Sequence, residues 1–210
     1  MSWLFATVYD PFMRRTEEAC LSQWRDELLA PLEGSVLEIG AGTGANLGHY
    51  PRRFVRSANG PERLVLTDPD LHMLERLRKR PEAGALEIAR ASSDALPFSD
   101  ESFDAVVSTL VLCSVPDVER TLAEVRRVLK QGGALFFLEH VAADEHSPRR
   151  RWQRRIEPLW SKLAGGCHLT RETDKSIVRA GFTIETLTKE SMRKSLPIVR
   201  PTVRGIARKI

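Results

Sequence analysis

The chain has 210 residues, of which 42% are hydrophobic and 29% charged, with a formal net charge of +4. These values are typical of a globular protein with one core, and they exclude a disordered or fibrous chain. Its three cysteines are widely spaced, and no signal peptide or apolar run of about 18 residues is apparent. We therefore expect a cytoplasmic protein of one domain, and the cysteine spacing predicts no metal site.

The N-terminal segment has the pattern of a helix. Apolar residues recur at helical spacing over 11–32, and Pro31 interrupts the pattern. We expect residues 1–33 to form a helical arm. Within this arm, Tyr9 and Asp10 are candidates for a lid over a bound ligand.

A short apolar run over 35–39 is followed by Gly40, Gly42 and Gly44. The run predicts a buried parallel strand, and the glycines predict a turn before a helix that stops near Tyr50. The polar stretch over 52–62 predicts a loop. Glycine lets a ligand approach the backbone closely, and free N–H groups at a helix start bind anionic groups. The spacing favours a nucleotide-like ligand, although a turn without a ligand has the same pattern.

A second apolar run, over 63–67, ends at Asp68. A carboxylate at the tip of a neighbouring strand can accept hydrogen bonds from ribose hydroxyls. Asp70 is placed to cap a helix over 71–80. That helix is expected to turn its leucines towards the sheet: Leu71, Leu74 and Leu77.

The elements that follow alternate in the same way. Strands are predicted at 86–89, 103–109 and 134–138. A helix precedes the last of them; it is expected to begin at Pro116 and Asp117 and to end at Gly132 and Gly133. Later elements are helices at 148–163 and 171–180 and strands at 182–188 and 203–209. Such alternation predicts an α/β fold on a mostly parallel sheet.

Taken together, these motifs resemble the class I S-adenosylmethionine-dependent methyltransferases. The resemblance covers roughly 34–140 and is carried by Val36–Gly44, Asp68, Asp94–Phe98, Ser102–Val107 and Glu124–Gly133. It implies a Rossmann-like, seven-stranded sheet with helices on both faces and an antiparallel last strand. The methyltransferase domain would be 34–210, with 141–180 as a helical substrate-side insertion. The implied cofactor is S-adenosylmethionine, with S-adenosylhomocysteine as product.

The resemblance also implies which residues hold the cofactor. Asp68 would bind the ribose, and Asp94 would accept from the adenine amine. The methyl-donor side would be lined by Thr109 and Leu110, and Glu38 would orient the glycine loop or the cofactor amino group. The remaining implied contacts are Gly40, Ala41, Gly42 and Gly44 near the methionine part, and Pro69 and Ala95 near adenine.

A narrower resemblance, to the mammalian microsomal alkyl-thiol S-methyltransferases, lies in Thr109–Val115, Phe137–Ala143 and Gly166–Glu172. It implies a small, apolar methyl acceptor, most simply a thiol that reacts as thiolate. Alternatives are C- or O-methylation of a quinone-like or phenolic molecule and N-methylation of a lipid head group. A non-catalytic regulator that binds the cofactor, or a nicotinamide oxidoreductase, would be a different class of protein.

His140 is the candidate catalytic residue, because it follows the strand at 134–138 and its imidazole could act as a base or orient the acceptor. A structural histidine is the competing interpretation. Cys113 could line the acceptor pocket, although a small buried apolar residue is the simpler interpretation of it. His168 lies in a predicted loop and is the weaker histidine candidate.

The predicted helix at 148–163 is strongly basic, with Arg149, Arg150, Arg151, Arg154 and Arg155. A solvated face or a substrate-side cap would explain this charge, and so would contact with an anionic membrane surface that takes up Trp152. No aromatic stacking pattern accompanies the basic residues, so no nucleic-acid partner is expected.

Overall fold

The computed structural model describes residues 11, 13–56, 62–84 and 86–210. Within these residues, one sheet contains seven strands in the order β3-β2-β1-β4-β5-β7-β6. The strands are β1 (Ser35–Ile39), β2 (Arg63–Asp68), β3 (Glu87–Arg90), β4 (Phe103–Thr109), β5 (Leu129–His140), β6 (Phe182–Ser191) and β7 (Pro201–Lys209). The helices are α1 (Ser22–Leu29), α2 (Arg52–Arg56), α3 (Leu71–Arg78), α4 (Val118–Val128), α5 (Pro148–Leu163) and α6 (Thr173–Arg179).

Strand direction confirms the predicted sheet. The pairs β1–β2, β1–β4, β2–β3 and β4–β5 are parallel, whereas β7 runs antiparallel to both β5 and β6. The chain order reverses beside β1, since β2 lies on one side of it and β4 on the other. Ligands of open α/β sheets bind at this point, outside the carboxyl ends of the strands.

Helices cover both faces of the sheet, as predicted. On one face, Trp24 and Leu28 of α1 join a core cluster with Leu74 of α3. On the other face, Val125 of α4 packs in a cluster with Ile177 of α6. Both faces of the central strands are therefore buried, which explains why β1, β2 and β4 are continuous apolar runs.

The first helix differs from the prediction over 11–32. Residues 11 and 13–16 are helical, a π-helical turn follows at Glu17–Leu21, and the helix continues as α1 to Leu29. Because α1 packs in the main core, this part of the segment 1–33 is joined closely to the sheet. The lid candidates Tyr9 and Asp10 lie outside the described residues, and the division at residue 33 stays a prediction.

Two predictions around the glycine loop were wrong. In place of the predicted helix, the loop leads into turns and a single 3-10 turn at Leu47–His49, because Gly48 and Pro51 disfavour a longer helix. The second correction concerns the predicted loop over 52–62, part of which forms α2. The cap of α3 is confirmed, because Asp70 accepts from the N–H groups of His72 and Met73. Leu71, however, is 46% exposed.

The predicted strand at 134–138 is longer at both ends. It begins at Leu129, directly after α4, so Gly132 and Gly133 lie within β5 and do not close the preceding helix. The cap of α4 is as expected, since Asp117 accepts from the N–H groups of Glu119 and Arg120. None of the helices in the described part of the chain combines the length and apolar content needed to span a bilayer.

Candidate active site

A cavity of about 1310 Å³ lies at the carboxyl edge of the sheet. Residues at the ends of four neighbouring strands line it: Gly40 after β1, Asp68 of β2, Thr109 of β4 and His140 of β5. Its volume exceeds the roughly 300–1,000 Å³ of a pocket for one small ligand. The cavity therefore has room for a cofactor together with an acceptor.

The glycines after β1 have different surroundings, although all three have positive φ. A Cβ placed on Gly42 would meet nothing closer than the Gly40 carbonyl oxygen at 4.0 Å, so this position faces the cavity. A Cβ on Gly44 would lie 2.5 Å from Leu77 and 2.8 Å from Leu47. Gly42 therefore leaves space for a ligand, whereas Gly44 allows the loop to pack on α3.

Asp68 holds the glycine loop from the neighbouring strand. Its Oδ2 accepts from the Gly42 N–H at 2.9 Å, and its Oδ1 accepts from the Asp70 N–H at 2.8 Å. The side chain lines the cavity, and burial raises the pKa of its carboxyl. Each carboxylate oxygen can accept a further hydrogen bond, which fits the predicted contact with ribose hydroxyls.

Glu38 lies behind the loop in a buried polar network. Its oxygens accept from Asn46 Nδ2 at 2.8 Å and from the Tyr50 hydroxyl at 2.7 Å. Burial raises the pKa of Glu38, which these two hydrogen bonds oppose. Glu38 is also part of the cavity lining, and its role in orienting the glycine loop or the cofactor amino group stays a prediction.

Arg25 connects this network to α1. Its Nη1 donates to Asn46 Oδ1 at 2.6 Å and to Thr109 Oγ1 at 2.9 Å, and its Nη2 forms an ion pair with Glu17 at 2.9 Å. No sequence pattern pointed to Arg25 or Tyr50 as site residues, and Asn46 was not predicted either. Only the position of Asn46, two residues after the last glycine, hinted at a role near the cofactor.

The loop after β4 is sharply bent. Leu110 has φ of 60°, and its N–H donates to the Leu138 carbonyl at 2.8 Å. The buried carboxylate of Glu139 accepts from the N–H groups of Val111 at 3.1 Å and Cys113 at 3.2 Å. This conformation places Thr109 and Leu110 in the cavity wall, where the resemblance predicts the methyl-donor side.

His140 lies further along the wall, 2% exposed, with its Nε2 3.7 Å from Cys167 Sγ. Burial lowers the pKa of His140 to about 4, so the imidazole is neutral near pH 7. Cys113 also lines the cavity, and its Sγ lies within 4.8 Å of Cys167 Sγ. The interaction between these two neighbouring thiols lowers the pKa of Cys167, whereas the same interaction and burial raise the pKa of Cys113.

Other predicted contacts lie elsewhere. Asp94 and Ala95 line a separate depression of about 390 Å³, while Ser92 and Ser93 line the main cavity. Gly44 is outside the cavity lining, whereas Ala41 and Pro69 are part of it. The adenine roles of Asp94, Ala95 and Pro69 and the ligand role of Gly44 stay predictions.

Comparison with known proteins agrees with this geometry. Residues 37–137 match the family model described as a methyltransferase domain. Human thiol S-methyltransferase TMT1A is 36% identical over 208 residues, which cover 97% of this chain and 82% of the relative. Rat thiol S-methyltransferase TMT1B is 38% identical over 188 residues, covering 87% of this chain and 73% of the relative.

The chain belongs to the family of S-adenosylmethionine-dependent methyltransferases that contains these two relatives. A solved S-adenosylmethionine-dependent methyltransferase from Thermotoga maritima, described as a possible histamine N-methyltransferase, shares the fold. It superposes with a TM-score of 0.69 at 23% identity, covering 99% of this chain and 98% of that one.

The lining residues fit the cofactor of this methyltransferase family. Gly42 leaves room at the loop, and buried Asp68 presents acceptor oxygens to the same space. Asp68 would hold the ribose, and the loop from Gly40 to Gly42 would hold the methionine part. When bound, S-adenosylmethionine supplies a methyl group that is activated by its sulfonium.

Proposed function

We propose that this methyltransferase transfers the methyl group to the sulfur of small, apolar thiols. The observation that carries the proposal is the similarity to human thiol S-methyltransferase TMT1A across 97% of the chain. That similarity extends past the common cofactor region, 37–137, into α5 and the loops that wall the rest of the cavity. The similarity therefore includes the walls of the cavity outside the common cofactor region.

The cavity wall beyond β5 suits an apolar acceptor. Its side chains include Trp160 and Leu163 of α5, with Val115, Leu196 and Val199 from the surrounding loops. Methyl transfer is an in-line displacement, so the wall mainly has to align the acceptor with the methyl carbon. A thiolate and a sulfonium lose charge as they react, which an apolar surround favours.

We infer that His140 positions the acceptor and does not act as a general base. Its imidazole is neutral, and a group with a pKa of about 4 removes protons poorly near pH 7. Buried in the wall with Nε2 towards Cys167, it can still contact an acceptor in the cavity.

The deciding experiment measures transfer of labelled methyl groups to a panel of alkyl thiols, phenols, quinols and lipid amines. We expect saturable transfer to alkyl thiols, and weaker transfer to thiols with charged substituents. Transfer only to quinols, phenols or lipid amines would overturn the thiol proposal. Binding of S-adenosylhomocysteine without transfer to any acceptor would instead indicate a regulator.

We further propose that α5 contacts an anionic membrane surface. Its exposed apolar side chains, Trp152 at 57%, Leu159 at 63% and Leu163 at 69%, recur at spacings of seven and four residues and therefore lie on one helical face. Exposed Arg151 and Arg155 accompany that face, and Arg155 stacks over the Trp152 ring. Tryptophan beside basic residues is typical of a helix at a lipid surface.

One of the predicted basic residues does not belong to this surface. Arg150 is buried, and its Nη1 donates to the Thr170 carbonyl at 3.1 Å. It holds the loop after α5 and is not available to lipid. The exposed basic residues of the helix are Arg149, Arg151, Arg154, Arg155 and Lys162.

Co-sedimentation with phosphatidylserine and phosphatidylcholine vesicles tests the membrane contact. We expect binding to the anionic vesicles only, and loss of at least about tenfold in affinity when Arg151 and Arg155 become Glu. Lys175→Glu on α6 is the matched control, because this exposed lysine lies outside the proposed surface. The proposal would be contradicted if the protein sedimented equally with both kinds of vesicle. It would also be contradicted if the variant with Glu at 151 and 155 sedimented as much as the Lys175→Glu control.

A further inference from the structure

Three potential metal ligands meet at one point of the cavity wall. Cys113, His140 and Cys167 each present one ligand atom, and these atoms lie within 4.8 Å of one another. All three residues line the cavity, and no other described part of the chain brings such a group together. The three positions are far apart in the chain, which is why their spacing predicted no metal site.

The spacing suits a tetrahedral cation. With Zn–S of about 2.3 Å and Zn–N of about 2.0 Å, tetrahedral ligands place sulfur and nitrogen about 3.5 Å apart. The contact between His140 Nε2 and Cys167 Sγ measures 3.7 Å. Two sulfurs and an imidazole nitrogen are the ligand types that favour Zn²⁺ over harder divalent cations.

The loops that carry the cysteines are held in place from several sides. Glu139 accepts from the Cys113 N–H at 3.2 Å, and the Cys113 carbonyl accepts from the His168 N–H at 2.8 Å. Gly166 allows the second loop to pack closely, since a Cβ there would lie 2.9 Å from the Ser114 carbonyl oxygen. The second cysteine is thus fixed beside the first without help from a ligand.

Two further residues complete this framework. Arg171 donates to the carbonyl oxygens of Leu112 at 2.6 Å and Val115 at 2.5 Å, which fixes the loop that contains Cys113. Glu157 of α5 accepts from the Leu169 N–H at 2.7 Å. Such pre-organisation of the ligands is what a metal site requires.

We propose that Cys113, His140 and Cys167 bind a thiophilic divalent cation, Zn²⁺, with its fourth position open to the cavity for the thiol of the substrate. The role of the fourth position rests on the proposed thiol acceptor, whereas the metal site does not. Three protein ligands and one open position are the arrangement of catalytic zinc sites.

The cation would solve the problem of thiol ionisation. A free thiol with a pKa of about 8.5 is only a few per cent ionised at neutral pH. At the cation, R–SH binds as R–S⁻ and its proton passes to solvent through the open cavity. The substrate sulfur then forms a bond to the methyl carbon, the bond from that carbon to the cofactor sulfonium breaks, and its electron pair stays on the cofactor sulfur. The neutral thioether R–S–CH₃ is a weaker ligand and leaves.

The first test titrates Co²⁺ into the reduced, chelator-treated full chain. We expect about one equivalent to bind, with the visible absorption of tetrahedral cobalt and a thiolate-to-cobalt charge-transfer band. Cobalt binding should weaken by at least about 100-fold in each of the variants Cys113→Ser, Cys167→Ser and His140→Gln. This loss is larger than substitution of a residue that only hydrogen-bonds to a metal ligand usually causes. Retained binding of S-adenosylhomocysteine shows that each variant is folded.

Cys20→Ser is the matched control, because Cys20 is also buried but accepts from the Arg193 N–H away from the cavity. It should bind cobalt like the wild type. Absence of cobalt binding by the reduced wild-type chain, or binding that survives all three ligand substitutions, would overturn the metal site.

The second test concerns the fourth position. A substrate thiol should change the cobalt spectrum, and removal of the metal should lower kcat/KM for thiols by about 30-fold at neutral pH, the reciprocal of the ionised fraction. Unchanged thiol methylation by metal-free protein would overturn the inference and leave the proposed function intact. Metal binding without methylation of any thiol would refute the proposed function and retain the metal site alone.

Discussion

The Asp68 carboxylate holds the glycine loop and also faces the cavity. The two carboxylate oxygens accept from the N–H groups of Gly42 and Asp70. In the Asn variant an NH₂ group, which is a donor, replaces one of these two oxygens, so one of the N–H groups loses its acceptor. We expect the Kd for S-adenosylhomocysteine, measured by calorimetry, to rise at least about tenfold, since hydrogen bonds to charged groups contribute about 1.5–3 kcal/mol.

The pH dependence of binding gives this prediction a second readout. Because burial raises the pKa of Asp68, the carboxylate takes up its proton at a higher pH than an exposed aspartate. Wild-type affinity should therefore fall as the pH is lowered through that raised pKa, and the Asn variant should lack this step. Asp104→Asn is the control, because Asp104 accepts from the Ser35 N–H, away from the cavity lining. Wild-type affinity in Asp68→Asn would remove Asp68 from the ribose role.

Substitutions at Gly42 and Gly44 should affect different properties, cofactor binding at Gly42 and fold stability at Gly44. Alanine at Gly42 meets open cavity, so it should destabilise the fold by only about 1–2 kcal/mol, through its positive φ, while raising the cofactor Kd at least about tenfold. Alanine at Gly44 also meets Leu77 and Leu47, and its unfolding free energy in urea should fall by about 3 kcal/mol. Equal effects on both measurements at both positions would contradict the distinction.

At the scale of elements, α1 shows where sequence patterns stop being informative. Apolar spacing predicted a helix there, but a buried arginine in it gives no periodic signal. Arg25 acquires its role only because Asn46 and Thr109, 21 and 84 residues away, converge on it in the fold. By contrast, the bounds of β4 and α5 were predicted to the residue, since local turn and cap residues define their ends.

Arg25→Met tests how far α1 supports the cavity. The variant keeps the apolar stem but leaves Glu17 without its ion pair and Asn46 Oδ1 without this donor. We expect a loss of about 3 kcal/mol in unfolding free energy and weaker cofactor binding, because breaking a buried charged network is costly. Gln23→Ala on the same helix is the control, since Gln23 bonds only to exposed Glu27 among the described contacts. A loss no larger than in that control would show that the network does not support the site.

At the scale of the whole molecule, the strand order separates the proposed cofactor end of the cavity from the proposed acceptor end. Asp68 ends β2 and His140 ends β5, and the order β2-β1-β4-β5 puts three strand spacings, roughly 14 Å, between them. The motifs on β1, β2 and β4 predicted residues that the fold brings together in the wall of one cavity. The acceptor end depends on loops from 110–116 and 164–168 that meet only in the folded chain, so Cys113 and Cys167 could not be paired in advance.

This separation predicts how changes at the two ends combine. His140→Gln should lower kcat for methyl transfer by about 100-fold while the Kd for S-adenosylhomocysteine stays within about twofold of wild type. Asp68→Asn should instead raise the Kd for S-adenosylhomocysteine and leave kcat nearly unchanged. Because sites this far apart with no shared partner contribute independently, the double variant should lose kcat/KM by the product of the two single losses, within about 0.5 kcal/mol. A loss well below that product would mean that the two ends act as one unit, and unchanged kcat in His140→Gln would reduce the histidine to packing.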